Sequence, residues 1–189
     1  MNGQIANSID RKIKKEKING QIYLMASPSI EHRDVQYNMA KIFNEYFNKN
    51  KKRCRAIIDH ELYIDEDNFL EPDVKVLCRE KRDDDIPVIV IEVLSKSTRK
   101  RDINDKMEKY AQLGIKEYWL VTWETCSIDI YLLGENQQYK LYNTYVHYVS
   151  KEELRKLDEE DLKEIVKEFS PGAFPELIIK LEDVFDIFI

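Results

Sequence analysis

The feature that most constrains this chain is an aliphatic run with one carboxylate inside it. From Pro87 the sequence reads PVIVIEVLSKST, so Glu92 is enclosed by Val88, Ile89, Val90, Ile91, Val93 and Leu94. Such a run, with no polar alternation, makes a strand covered on both faces, the centre of an α/β sheet. A carboxylate there loses its hydration at a cost of several kcal/mol unless a positive group meets it. A second acid and a lysine elsewhere bear on that need. Asp73 lies in EPDVKVLC, a shorter strand signal entered through Pro72, and Lys106 lies in a helix expected from about Asp102 to Leu113.

Alternation places Glu92 on one face with Val88, Val90 and Leu94, and Asp73 on one face with Lys75 and Leu77. If the two strands are neighbours, the acids converge on one cation. Mg²⁺ takes one or two carboxylates and fills its shell with water and phosphate oxygens. On the helix, Ile103, Met107, Tyr110, Ala111 and Gly114 form the sheet-facing stripe. Lys106 lies roughly 60° from its centre, where its stem can follow the sheet and carry the ammonium toward the acids. These are the parts of a metal-dependent phosphodiester-cleaving site. The structural alternative is a plain salt bridge from Glu92 to Lys106 or Lys75, with Asp102 as a helix N-cap and His32 as a local hydrogen-bonder.

The remaining chain reads as one α/β domain over 20–189 behind a polar leader at 1–19. A strand is expected at 20–25, then a helix opened by Ser27-Pro28-Ser29. Its stripe is Val35, Met39, Ile42, Phe43, Tyr46 and Phe47. One strand is expected over 56–64, a polar turn at 65–68, a strand over 71–78 and a charged loop over 79–85. Gly114 sits where a left-handed helix cap belongs. Strands follow at 116–122 and 127–133, weaker ones at 138–142 and 145–149. A helical stretch beyond Ser150 and an apolar strand and helix at 177–185 close the chain.

Other chemistries lack support. There is no GxxxxGK[ST] or GxGxxG, no HExxH among His32, His60 and His147, and no glycine-flanked nucleophile at Ser95. No apolar run reaches the ~20 residues of a membrane span, and the N-terminus lacks a secretory h-region. Cys54, Cys78 and Cys126, odd in number and without metal spacing, read as reduced thiols of a cytoplasmic protein. The net charge of −6 opposes a nucleic-acid partner. Basic runs at 11–17, 49–55 and 96–101 locally offset it.

At EPDVKVLC, VIVIEVLSKSTRKRD and K..KY..LGIKEYWLV the chain resembles the Uma-two endonucleases of the PD-(D/E)XK superfamily. The similarity spans about 20–133, is most specific over 71–121, and returns in FPELIIKLEDVF. The resemblance implies a restriction-endonuclease-like α/β core, a mixed β-sheet flanked by α-helices. It also implies a DNA-cleaving site that uses Mg²⁺ or Mn²⁺. By position, Asp73 and Glu92 are the metal-binding acids. Leu94 stands where the superfamily's strand lysine would be, and Lys106 replaces it from the helix. Asp102, after Ser97-Thr98, and His32 match further family positions, and Glu61 is an accessory acid. The chain departs from the family in Ser95-Lys96-Ser97-Thr98, where Ser-Pro-Ser-Thr is usual, and in Thr122-Trp123, where Asp-Pro is usual.

The expectation is a Mg²⁺- or Mn²⁺-dependent endonuclease with DNA as partner and Asp73, Glu92 and Lys106 at its centre. Arg99, Lys100 and Arg101 contact the phosphate backbone, and a homodimer serves the two strands of a duplex. The rivals are a non-catalytic binding or assembly module on the same fold, and a hydrolase of a small phosphorylated compound.

Overall fold

The computed structural model describes residues 14–79, 86–96 and 98–187. The first part of the basic run at 11–17, most of the charged loop at 79–85, and Ser97 fall outside them. The described chain opens with β1 (Lys15–Ile18) and β2 (Gln21–Leu24), followed by α1 (Ile30–Lys49), β3 (Cys54–Ile58), β4 (Leu62–Asp65), β5 (Asn68–Leu70) and β6 (Val74–Cys78). After β7 (Ile89–Val93) comes one helical rod: α2 (Arg99–Arg101), a π-helical turn (Asp102–Lys106) and α3 (Met107–Gln112). Then follow β8 (Glu117–Thr122), β9 (Ser127–Leu133), β10 (Tyr139–Val146), α4 (Lys151–Leu154), α5 (Glu159–Glu164), β11 (Glu168–Phe169), β12 (Ile179–Lys180) and α6 (Leu181–Val184).

Six strands form the main sheet in the order β10-β9-β8-β7-β6-β3. β7 and β8 are parallel, joined by the helical rod, and the other neighbours are antiparallel, so the sheet is mixed. All five residues of β7 are buried, as expected of a strand without polar alternation. Ile89, Ile91 and Val93 point toward α1 and the C-terminal segments, where Phe43, Phe47, Trp119, Phe169 and Phe174 fill the core. Val90 and Leu94 point the other way, into a second core with Ile18, Leu62, Leu70, Tyr110 and Tyr118. Glu92 shares that second face. A smaller sheet, β2-β1-β5-β4, supplies Ile18, Leu62 and Leu70 to the second core.

Several expected boundaries moved. Residues 15–18, expected in a polar leader, are strand. Asn19 and Gly20 both take positive φ (51° and 80°) and turn the chain back as a two-residue hairpin. The single strand expected at 56–64 is two, broken where Asp59 adopts φ 47°. The weak strands at 138–142 and 145–149 are one strand, β10, with an irregularity between Leu141 and Asn143 that breaks the alternation. The helical stretch beyond Ser150 is two short helices, because Asp158 caps a new start by accepting from the N–H groups of Glu160 and Asp161. Ser29, not Ser27, caps α1 by accepting from the His32 N–H. Gly114 (φ 75°) closes the rod, with Ile115 N–H donating to the Tyr110 carbonyl and Gly114 N–H to the Ala111 carbonyl.

The cysteines also depart from expectation. Cys54 and Cys78 form a disulfide, leaving Cys126 free and buried. Their spacing of 24 residues carries no such signal, but β3 and β6 place them directly opposite, 4.0 Å apart at Cα. Thiol titration of the denatured, unreduced protein is expected to give one free thiol, and three after reduction. Reduction should cost about 3 kcal/mol of stability for a loop of this length, read as a lower urea midpoint.

Candidate active site

The second core contains a cage of charge. β7 carries Glu92 into it, and the hairpin strand β1 carries Glu16, inward beside Ile18. The helical rod adds Asp102 and Lys106. An α-helical turn would leave Lys106 at the edge of the buried stripe. The π-helical turn inserts extra backbone and brings Asp102 and Lys106 to the buried side together. The Lys106 ammonium lies 2.8 Å from Glu16 Oε1, 3.0 Å from Asp102 Oδ1 and 3.2 Å from Glu92 Oε1. Tyr110 donates its hydroxyl to Glu92 Oε1 at 2.6 Å. None of these four charged residues is more than 2% exposed.

Asp73 sits one residue before β6, where the antiparallel register continues to Glu92. Its Oδ2 accepts from the Val93 N–H (2.8 Å) and lies 3.2 Å from His32 Nε2, on the first turn of α1. Its Oδ1 lies 3.2 Å from the Lys14 ammonium, which also meets Asp59 Oδ1 at 2.9 Å. Gln36 ties the group together by donating to Asp59 Oδ1 and to the Asp73 carbonyl.

Carboxylates outnumber cations here, and the titration behaviour follows. Burial drives the Glu92 carboxyl well above the usual range, and the charges of Asp73, Asp102 and Glu16 add to it, against the pull of Lys106. Asp102 is raised by burial for the same reason. Burial alone would raise Asp73 too. The hydrogen bond from His32 and the charges of Lys14 and Lys106 outweigh it and hold Asp73 well below the usual carboxylate range. Burial opposes the Lys106 charge, but Glu92, Asp102, Glu16 and Asp73 together hold its ammonium well above the usual lysine range. Lys14 is raised in the same way by Asp73, Glu92 and Asp59.

An alkaline transition should result. Burial, with Glu92 nearby, also raises the Tyr110 and Tyr118 phenols. These two tyrosines and two lysines all hold their protons more tightly folded than unfolded. The stability they supply is whole below the ordinary values of 10.0 and 10.5. It is lost as pH rises through the folded values, since the unfolded chain then binds fewer protons. The urea midpoint should hold to about pH 10 and fall as pH rises further, with the Tyr110 and Tyr118 contribution to tyrosinate absorbance appearing only on unfolding.

Of the residues singled out in the sequence, Asp73, Glu92, Lys106, Asp102 and His32 come together. Asp102 is not an N-cap, because the helix begins three residues earlier. Glu61 stays outside: its side chain is exposed, and only its carbonyl takes part, accepting from Lys75. Asp59, two residues before it, points inward instead. Arg99 and Lys100 are exposed, whereas Arg101 is half-buried with its guanidinium 4.7 Å over the Tyr23 ring. Glu16, Lys14, Asp59 and Gln36 were missed. The Asn19-Gly20 hairpin signal would have turned the leader into a strand and found Glu16.

Two observations suit a divalent cation: the surplus of buried carboxylates, and Glu16 Oε2, which is buried without a hydrogen-bond partner. As they stand, no three His, Cys, Asp or Glu side chains among the described residues are close enough together to hold an ion. A Mg²⁺ site needs only one or two carboxylates. Asp73 and Glu92 meet that requirement by type and by register.

Comparison with known proteins agrees with this fold. The chain is 26% identical over 136 residues to an uncharacterized protein, slr1290, of Synechocystis sp., covering 69% of this chain and 72% of the other. It superposes with a TM-score of 0.66 on the crystal structure of "a putative nuclease belonging to DUF820" from Anabaena variabilis. That match is 18% identical and covers 90% of this chain and 89% of the other. No helix among the described residues is long and apolar enough to cross a membrane. The profile of one family, described as "Putative restriction endonuclease", matches residues 4–170, and the chain belongs to that family, Uma2.

Proposed function

We propose that this protein is a Mg²⁺- or Mn²⁺-dependent endonuclease that hydrolyses DNA phosphodiester bonds. The observation that carries the reading is the cluster of buried carboxylates around Glu92 and Asp73, which among the described residues is paired with Lys14 and Lys106. Asp73 and Glu92 would hold the ion. When bound, the ion acidifies a water and neutralises the scissile phosphate.

The chain's own residues then have distinct tasks. The Val93 N–H and His32 fix the rotamer of Asp73. Tyr110 and Lys106 fix the position of the Glu92 carboxyl group. Lys106 is buried, held by three carboxylates, and supplies a fixed positive field toward the charge that develops on phosphorus. Arg99 and Lys100, exposed on the turn after β7, are placed to meet the DNA backbone. Arg101, packed on Tyr23, serves that turn as a structural anchor rather than as a free phosphate contact. A homodimer would place two such sites on the two strands of a duplex.

The test is conversion of supercoiled plasmid to open circles by purified protein with Mn²⁺. Nicking should stop with EDTA and return with excess Mn²⁺. Protein that leaves plasmid intact at every Mn²⁺ and Mg²⁺ concentration would sink the reading. The near-complete burial of Glu92 and Lys106 favours one rival, a non-catalytic module whose ion pair is purely structural. That rival predicts no binding in a Mn²⁺ titration.

A further inference from the structure

The parallel strands β7 and β8 end side by side, and a pocket of roughly 210 Å³ opens just past their carboxyl ends. Leu94, Ser95 and Lys96 line it from the chain leaving β7, Arg99 from the start of the helical rod, and Thr122 and Glu124 from the end of β8 and the turn beyond. Parallel neighbours whose chains part at their carboxyl ends leave a crevice of this kind, the usual ligand position in an α/β sheet. Its walls are fixed. Leu94 is 2% exposed, and its N–H donates to the Val121 carbonyl at 2.7 Å. The Thr98 and Arg99 N–H groups both donate to the Ser95 carbonyl, at 3.2 and 3.0 Å, and the Ser95 and Thr98 hydroxyls meet at 2.9 Å.

The charge here is the reverse of the charge in the cage. Lys14 and Lys106 are each held by carboxylates. Lys96 and Arg99 are exposed, and among the described residues neither lies within ion-pair distance of a carboxylate. Glu124 lines the same pocket but stays beyond that distance from both, so two unpaired cations face one acid. Half-buried Thr122 adds a hydroxyl. Two cations and a hydroxyl around a small crevice suit a phosphate group.

Position ties the pocket to Glu92. The parallel register pairs Glu92 with Leu120 and Val93 with Val121. Leu94 and Thr122 therefore lie two residues further on, about 6.6 Å along the strands, on the face that Glu92 occupies. Asp73 lies on the other flank of β7, where the Val93 N–H donates to it. A DNA strand crossing the end of β7 from the β6 side meets Asp73 and Glu92 first and the pocket next.

We propose that this pocket holds one backbone phosphate of a bound DNA strand, a neighbour of the phosphate at Asp73 and Glu92. Lys96 and Arg99 supply the charge, Thr122 donates its hydroxyl, and Glu124 limits the strength of the hold. The proposal deepens the reading above and rests on DNA as the partner, not on the metal.

Fluorescence anisotropy of a labelled duplex oligonucleotide in EDTA tests this on the full chain, with no metal and no cleavage. Lys96→Gln and Arg99→Gln should each weaken binding by about tenfold. Because both serve one phosphate, the double variant should lower the slope of log affinity against log salt by about 0.9, and not by twice that. Thr122→Val, which changes no charge, should weaken binding by about threefold, and Glu124→Gln should tighten it by about the same factor. Glu135→Gln, an equal change of charge outside the pocket, should leave it unchanged. Wild-type affinity in Thr122→Val, or equal effects of Glu124→Gln and Glu135→Gln, would make Lys96 and Arg99 part of a diffuse basic surface and overturn the pocket. If Thr122→Val does not fold, the two glutamate variants decide. Wild type that binds no duplex at low salt overturns the proposal as well. The endonuclease reading fails separately: normal binding without nicking at any Mn²⁺ concentration removes it and leaves the pocket standing.

Discussion

Replacing Lys106 by methionine is expected to destabilise the fold by about 3–5 kcal/mol, the usual cost of removing one partner from a buried ion pair. Methionine keeps most of the stem's volume, so the loss is electrostatic and not a cavity effect. It leaves Glu16, Glu92 and Asp102, each no more than 2% exposed, facing one another without the ammonium that contacts all three. Urea unfolding at neutral pH measures the difference. The gap should narrow on acidification, because Glu92 and Asp102 already sit above the usual carboxylate range and protonate first. Their protonation favours the folded state when its carboxyls bind protons that the unfolded chain does not. Adding Glu16→Gln to Lys106→Met should recover part of the loss. A Lys106→Met protein as stable as wild type would show that the ammonium is not what holds the cage together.

Glu92→Gln is expected to act in the opposite sense on stability while removing function. Nicking should fall by about a hundredfold or more, the scale for losing one preorganised electrostatic group at a reacting centre. Folding stability at neutral pH should hold or rise. The native state charges Glu92 only against burial and against Asp73, Asp102 and Glu16, so a neutral amide relieves repulsion. Tyr110 can still donate to the amide oxygen. Lys106 keeps Glu16 and Asp102. Parallel measurement of plasmid nicking and thermal unfolding separates the two effects. Activity within tenfold of wild type would remove Glu92 from the reacting centre. Stability lost alongside activity would make its role structural, as in the non-catalytic module.

The two substitutions together distinguish a site from a core. A purely structural ion pair predicts that breaking either side destabilises. A site that stores excess negative charge for a metal predicts opposite signs, because one change worsens the excess and the other reduces it.

The main sheet was legible in the chain because it depends on local regularities. The unbroken aliphatic run marked β7 as central, and the 3.6-residue stripe marked α1. Gly114 marked the end of the helical rod, and Pro72-Asp73 the entry to β6. Each is set by neighbours within a few residues, where backbone sterics and side-chain periodicity act. The hairpin at Asn19-Gly20 is equally local, but the polar composition of residues 1–19 masks it, so the strand bearing Glu16 and Ile18 reads as leader. Asp59 was hidden differently. Its inward turn depends on a backbone conformation that no aspartate declares in advance, and on Gln36 arriving from a separate helix.

By itself, then, the order of residues determined an α/β chain with one acid committed to a buried strand, because desolvation makes that acid costly wherever the strand goes. It also determined that a cation must answer it. Which cation, and with what company, was decided only in three dimensions. Glu16, Asp102 and Lys106 meet Glu92 from β1 and from a π-helical turn, while Lys14, Gln36 and Asp59 gather on Asp73. The physical reason is range. Periodicity reports on a few ångströms along the chain, whereas a charge balance is settled among groups 59 and 90 positions apart that share one low-dielectric space.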